Sequence, residues 1–322
     1  MHSPKPEKSY EKRLALLNVG YERQPEGGGG RKSQFLRPSL IEFNSCKNVR
    51  ISSVKIMNSP FWTVHPIFSE KVEIENVTIV NPSDTPNTDA IDIDSCKDVH
   101  IKGCLINVGD DGLCLKSGAG EDGIFVNIPT ESVLIEECTV TSAHGGAVIG
   151  SETAAGIKNV TFKNCNFLGT DRGVRVKTRR GRGGKIENIL FSHLNIIDSL
   201  CPIAFNMYYK CGATDDSLFS LETKEINKET PKIKNITIEG IVAKNCKSSA
   251  GFIVGLPESR IENLLIKDSY FSVNSASEIK PKESEMYRGL PDVEEKSIRK
   301  RFADIKMENV VVEGVDSLVI EQ

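Results

Sequence analysis

Three aspartates, a histidine, an arginine and a lysine are the residues of this chain whose types and spacing could do chemistry. Asp89 is followed by the adjacent pair Asp110 and Asp111, then by His144, then by Arg175 and Lys177. Carboxylates brought together repel and desolvate one another, which raises the pKa of at least one. A protonated acid beside ionised bases is what cleavage of a glycosidic bond requires. Arginine adds a bidentate grip and lysine a point charge for a carboxylate-bearing sugar. Stacked aspartates can instead cap corners or bind Ca²⁺. For aspartates alone that reading is preferred, and the added His, Arg and Lys favour the chemical one.

These residues meet only if the chain returns to the same place every few tens of residues, and a repeat does this. The pattern reads NVRISSVKI from Asn48, KVEIENVTI from Lys71, DVHIKGCLI from Asp98 and SVLIEECTV from Ser132. It continues as NVTFKNCNF from Asn159, NILFSHLNI from Asn188, NITIEGIVA from Asn235 and NLLIKDSYF from Asn263. Alternation of period two and β-branched residues mark strands, and variable spacing marks loops inserted at fixed corners. Asn or Asp recurs just before the first apolar residue, where a left-handed corner suits it. The fold class expected is all-β, a single right-handed parallel β-helix with one coil per repeat. A leucine-rich repeat is the runner-up, but its LxxLxL signature is missing.

A further strand precedes each unit: AIDIDS from Ala90, GLCLKS from Gly112, GAVIGS from Gly146, GVRVKT from Gly173 and PIAFNM from Pro202. Aligned, they send Ile91, Leu113, Ala147, Val174 and Ile203 inward. Asp92, Cys114, Val148, Arg175 and Ala204 form one outward column; Asp94, Lys116, Gly150, Lys177 and Asn206 form another. Asp89 and Asp111 share a column on adjacent coils, about 4.8 Å apart, and Asp110 shares one with His144. Cys104, Cys138 and Cys165 take the slot of Val54, Val77, Leu194 and Ile241, facing the interior as small hydrophobes. Asn76, Asn159 and Asn235 open N-x-T sequons whose positions corners and strands already explain.

Composition bounds the rest. The chain has 322 residues, 39% hydrophobic and 26% charged, with a net charge of −3. That is a soluble globular balance, with no apolar run long enough to span a membrane and no charge excess for bulk nucleic-acid binding. Nine cysteines without a CxxC argue against a zinc ribbon, and no metal or cofactor is expected. The run DRGVRVKTRRGRGGK holds seven basic residues from Arg172 to Lys185. It is either a solvated loop or a basic patch for a polyanionic sugar. With no aromatic interleaving, nucleic acid is disfavoured.

The motifs NTD (Asn87, Thr88, Asp89), GDD (Gly109, Asp110, Asp111), HG (His144, Gly145) and R-x-K (Arg175, Lys177) resemble, in this order, the polygalacturonase family, glycoside hydrolase family 28. The resemblance covers roughly residues 33–322. It implies hydrolysis of α-1,4 bonds in pectic galacturonans with inversion, on a pectic polysaccharide or oligogalacturonide. It further implies that Asp110 is the general acid, that Asp89 and Asp111 activate water, and that His144 tunes the acid. Arg175 and Lys177 would hold the sugar carboxylate, Asn87 would contact substrate, and PIAFNMYY would end in a substrate-contacting Tyr209, with Tyr208 adjacent. Coil spacing puts Asp89 and Asp111 closer than the ~6.5–9.5 Å of inverting pairs, so the stereochemistry rests on the resemblance.

The chain departs from the family in Ala90, where glycine is common, in Ala143 before His144, and in the absence of earlier coils. Residues 1–32 are expected to be an N-terminal extension to a catalytic domain at 33–322. The start MHSPKPEKSYEKR has no apolar signal region; an N-terminally short chain is expected, whose uncovered end invites association. Pectin is extracellular, so secretion or a periplasmic location is expected. Insertions near 117–131, 211–232 and 275–303, with HGGAVIGSE and RGVRVKTRRGRGG, favour exo action. Trp62 and His65 either line a subsite or pack a loop. A non-catalytic acidic-glycan binder and a Ca²⁺-dependent pectate lyase are the alternatives.

Overall fold

The structure is a computed structural model. It describes residues 37–322 apart from 211, 212, 214, 287–289, 292, 293, 316, 317 and 322. The expected extension at 1–32 lies outside the described residues.

Parallel strands stack coil upon coil into a β-helix, with the right-handed crossovers that parallel strands adopt. A ten-stranded sheet carries the site. Its middle strands are Ile91–Asp94, Asp111–Lys116, Gly145–Gly150, Arg172–Lys177 and Cys201–Asn206, in that spatial order. The second sheet has two arms, a stack of long strands such as Lys97–Lys102 and a stack of three-residue strands such as Leu105–Asn107. The arms join where Ile261–Val273 runs through both.

Each nine-residue unit of the sequence is thus two strands bent around a corner, so a coil has three sides. Two left-handed residues make the bends. The first falls at Asn48, Lys71, Asp98, Ser132, Asn159, Asn188, Asn235 and Asn263, all with φ between 53° and 59°. Asn and Asp tolerate this conformation best, and here they also stack. Asn188 donates to Asn159 (3.2 Å), Asn235 to Asn188 (3.2 Å) and Asn263 to Asn235 (2.9 Å). The second bend uses Ser53, Asn76, Gly103, Glu137, Asn164, His193, Gly240 and Asp268.

Register follows the predicted columns: Ile91, Leu113, Ala147, Val174 and Ile203 pair in sequence, and all are fully buried. Phe162 stacks on Phe191 at 5.3 Å, and Phe205 meets Phe191 edge-on at 6.5 Å. Cys104, Cys138 and Cys165 are buried in their shared slot, but Val54 is 44% exposed because it lies on the first described coil. On the long arm an outward column alternates in sign: Lys47, Glu70, Lys97, Glu131, Lys158, Glu187, Lys234 and Glu262 pair in turn. Each opposite-charge step contributes about 0.2–1 kcal/mol and disfavours a slip by one coil, which would set like charges together.

The insertions form short elements: a helix at Gly120–Val126 and 3₁₀ turns at Asp216–Phe219 and Pro281–Ser284. The stretch after the last of these lies against the outer face of the ten-stranded sheet, where Glu285 meets Arg175 and Met286 meets Asn206, and every residue of Asp111–Lys116, Gly145–Gly150, Arg172–Lys177 and Cys201–Asn206 is buried.

Candidate active site

The site forms where the turns before three successive strands of the ten-stranded sheet lie side by side. Asp110 sits in the first such turn. Its Oδ2 accepts the backbone N–H of Asn87 (3.0 Å) and its Oδ1 that of Asp111 (2.9 Å). Asn87 reaches it from a left-handed conformation (φ 56°), so this residue holds Asp110 through its backbone. Gly109 passes under the preceding turn so closely that a Cβ would lie 2.5 Å from the Thr85 carbonyl oxygen. Only glycine fits there. Asp110 is half-buried and is the most accessible of the three carboxylates.

Asp111 points the other way, into the covered face, and is fully buried. Lys177 Nζ donates to its Oδ2 at 2.5 Å, and Arg175 Nη1 to its Oδ1 at 3.3 Å. Burial works to raise the pKa of Asp111, but the two cations outweigh it and hold the carboxyl far below the usual range. Asp89 is also buried, and here burial wins. Aided by the neighbouring charges of Asp92 and Asp110, it pushes this carboxyl well above its ordinary value. Lys116 Nζ, 3.9 Å from Asp89 Oδ2, offsets this in part. The two buried carboxyls are thereby driven apart in acidity.

His144 stacks on Asp110 in the next coil, its backbone N–H donating to the Asp110 carbonyl at 3.0 Å. Its Nδ1 lies 2.7 Å from Asp171 Oδ2, and this bond, against partial burial, raises its pKa. Asp171 also accepts from Arg172 at 3.3 Å.

Arg175 and Lys177, expected to hold a sugar carboxylate, are both buried behind the site. Arg175 is 1% exposed. Beyond Asp111, it forms a two-pronged pair with Glu285, Nε to Oε2 and Nη2 to Oε1, both 2.8 Å. A Cβ at Gly145 would crowd this side chain, at 3.3 Å from its Cδ. Tyr209 lies over both cations, its ring centre 5.5 Å from Arg175 and 5.3 Å from Lys177. Tyr208 turns into the core beside Arg180, so of the two tyrosines it is Tyr209 that lies against Arg175 and Lys177.

The basic run is neither a solvated loop nor an open patch. Arg172 donates to the carbonyls of Ser284 (2.8 Å) and Glu283 (3.0 Å). Arg180 pairs with Glu258 and holds the carbonyls of Leu218 and Ser220, and Arg182 pairs with Glu152. These side chains are buried because they tie loops to the sheet.

On the other flank, Trp62 lies over Lys116, with Nζ 4.4 Å from the ring centre. His65 meets the indole edge-on at 5.0 Å and is 7% exposed, with Nδ1 3.4 Å from Glu42. His65 therefore supports Trp62 from beneath, and half-buried Trp62 is the one on the surface. Lys116 is buried, hydrogen-bonded to Glu152 (3.2 Å) and 3.3 Å from Asp92 Oδ1. Burial, opposed by Lys116, pushes Asp92 up to about 7.

Lys116, Glu152, Asp92, Asp171 and Glu285 were not among the sequence candidates. Column alignment already placed Lys116 and Asp92 outward beside the site; Asp171 was not read, although it stands two residues before Gly173 as His144 stands two before Gly146. No local signal marks Glu285.

One oxygen each of Asp89 and Asp111 and the Cys114 sulfur lie within 4.8 Å of one another. This group does not suit a resident metal ion. Lys177 already holds Asp111, Asp89 is driven toward its neutral form, and the buried Cys114 thiol, raised in pKa, donates to the Gly150 carbonyl at 3.3 Å.

The model of the glycosyl hydrolases family 28 matches residues 25–280. A probable polygalacturonase of Vitis vinifera is 32% identical over 240 residues, covering 74% of this chain and 47% of the relative. An endo-polygalacturonase of Pectobacterium carotovorum is 29% identical over 211 residues, 64% of this chain and 50% of its own. Among solved structures, a hyperthermoactive exopolygalacturonase from Thermotoga maritima superposes with a TM-score of 0.69 at 31% identity, covering 87% of this chain and 56% of that one. The chain thus spans about half the length of the relatives it matches.

Proposed function

Because the chain belongs to glycosyl hydrolases family 28, we propose that it hydrolyses α-1,4-galacturonosidic bonds of polygalacturonate by single-displacement inversion. The observation that carries this reading is the division of labour among three carboxylates on two adjacent coils. Asp111 is held ionised by Lys177 and Arg175, Asp89 is pushed toward its neutral form, and Asp110 is pinned by two backbone N–H groups at the accessible mouth.

Asp110 gives its proton to the glycosidic oxygen as the bond to the anomeric carbon breaks. A water held between Asp89 and Asp111, whose oxygens approach within 4.8 Å, loses its proton to Asp111 while its oxygen attacks from the opposite face. His144, its pKa raised by the bond to Asp171, lies beside Asp110 on the next coil. Tyr209, Lys177 and Trp62 line the sugar site. The exo mode is supported by the likeness to the Thermotoga maritima enzyme and by the inserted loops over the sheet. Since pectin lies outside cells, we place the chain in a secreted or periplasmic setting.

The test is incubation of the purified protein with polygalacturonic acid and a chelator. Monomer or dimer release at constant viscosity is expected, and Asp110→Asn should abolish it, by at least a hundredfold, without altering the fold. Full activity in that variant would refute the assignment. A ladder of oligomers would mean endo action, and a product absorbing in the ultraviolet would mean a lyase. Glycan binding without turnover would mean a binder.

A further inference from the structure

Arg37 reaches the mouth of the site from just before the first strand of the ten-stranded sheet, Ile41–Asn44. It is half-buried, and its surroundings fix it. Nη2 donates to the Pro86 carbonyl at 3.0 Å, and the guanidinium lies 5.7 Å from the centre of the Phe61 ring. Phe61 stacks on Trp62 at 5.0 Å, so Arg37, Phe61, Trp62 and Lys116 form a continuous row of contacts. Burial lowers the pKa of Arg37, and Asp110 lies close enough for its charge to offset part of that. Pro86 directly precedes Asn87, whose backbone N–H holds Asp110. Arg37 is thus tied to the turn that pins the accessible carboxyl.

The guanidinium is underused. Among the described residues its hydrogen bond goes to a carbonyl and not to a carboxylate, and its buried Nε has no acceptor. A buried donor without a partner is costly, and a planar fork with spare N–H groups suits a carboxylate. A polyuronate that offers a glycosidic bond to Asp110 brings its own carboxylates toward that carboxyl group, and a cation at the mouth offsets the repulsion. His144, on the next coil, is engaged by Asp171, and Lys116 by Glu152. Along the stack, Arg37 and Trp62 lie on the coils before Asp89, whereas Arg175 and Lys177 lie on a coil after Asp111. A saccharide laid across the coils meets the two sets with different sugar units.

We propose that Arg37 is a substrate-binding residue that holds the carboxylate of the uronic acid on the Trp62 side of the mouth, across Asp110 from Arg175 and Lys177. Phe61 and the Pro86 carbonyl set the plane of the fork before the sugar arrives. The residue selects for a free acid over its methyl ester on that side of the bond.

The inference rests on the hydrolase reading for its substrate, so its test has a readout that does not need turnover. Affinities for trigalacturonate and for its methyl ester are measured by calorimetry in Asp110→Asn and in the same protein carrying Arg37→Gln. The second substitution should weaken binding of the acid about tenfold and leave binding of the ester unchanged. In the otherwise native chain, Arg37→Gln should raise KM for polygalacturonate by a similar factor. Unchanged affinity for the acid overturns the proposal. Equal losses for acid and ester also overturn it, because Arg37 would then only tie down the Pro86 turn. If wild-type protein gives no product from polygalacturonate, the hydrolase reading fails, and the comparison of acid with ester still decides the role of Arg37. Should Arg37→Gln not fold, Arg37→Lys keeps the charge but loses the planar fork. A loss of about threefold or more for the acid alone is then expected, and an unchanged affinity overturns the proposal.

Discussion

Replacing Lys177 with methionine removes the shorter of the two cationic contacts to Asp111 while keeping the volume of the stem. In the native protein Lys177 Nζ is 2.5 Å from Asp111 Oδ2, both side chains are buried, and Arg175 is the more distant partner at 3.3 Å. An opposite charge at this range lowers a carboxyl pKa by about one to three units. Its loss should therefore move the acidic limb of kcat/KM up by about one to three pH units, because Asp111 must be ionised to accept a proton from water. The stability sign agrees. A carboxyl depressed in the folded state stabilises it above the unfolded pKa of about 4, and that contribution is lost as pH falls through the folded value. Without Lys177 the loss begins at higher pH. Breaking a buried ion pair costs about 3–5 kcal/mol near neutrality. Arg175 retains part of the pairing, so the lower figure is expected. The assay is reducing-end release from polygalacturonate between pH 3 and 8, with denaturant unfolding across the same range. An acidic limb that stays in place would refute the claim that Lys177 keeps Asp111 ionised.

Asp92→Asn should stabilise the protein at pH 8 and leave it unchanged near pH 4. Burial raises this carboxyl to about 7, so folding is penalised increasingly between pH 4 and 7, by up to about 4 kcal/mol. Thermal unfolding at the two pH values checks this. Asp171→Asn should lower the pKa of His144, whose Nδ1 it holds at 2.7 Å, and bring the alkaline limb of kcat to lower pH. Histidine resonances followed by NMR titration would show the shift directly. An unmoved His144 titration would mean that Asp171 serves the backbone alone.

The solenoid was legible because its signals are local and repeated. A left-handed corner at Asn48 must be met again at Asn159 and Asn235. Period-two alternation sends the same columns inward on every coil, and stacked strands admit one register. That arithmetic placed Asp89 over Asp111 and Asp110 beside His144 from the sequence, and the pairing of Leu113 with Ile91 and Ala147 agrees. What each charged residue faces was decided by tertiary structure. Glu285 lies 110 residues from Arg175 in an insertion without periodicity, so no column foretells it. The basic residues from Arg172 to Arg182 look solvent-directed as a string, yet Arg172, Arg175, Arg180 and Arg182 are turned inward by a carbonyl or carboxylate from a distant loop. Backbone geometry repeats and can be read along the chain, whereas burial of a charge depends on which distant loop comes to cover it. The sequence by itself determined the coil and the three aspartates. Only the folded loops decided that Asp111 is ionised, that Asp89 is pushed toward neutrality, and that Arg175 meets Glu285.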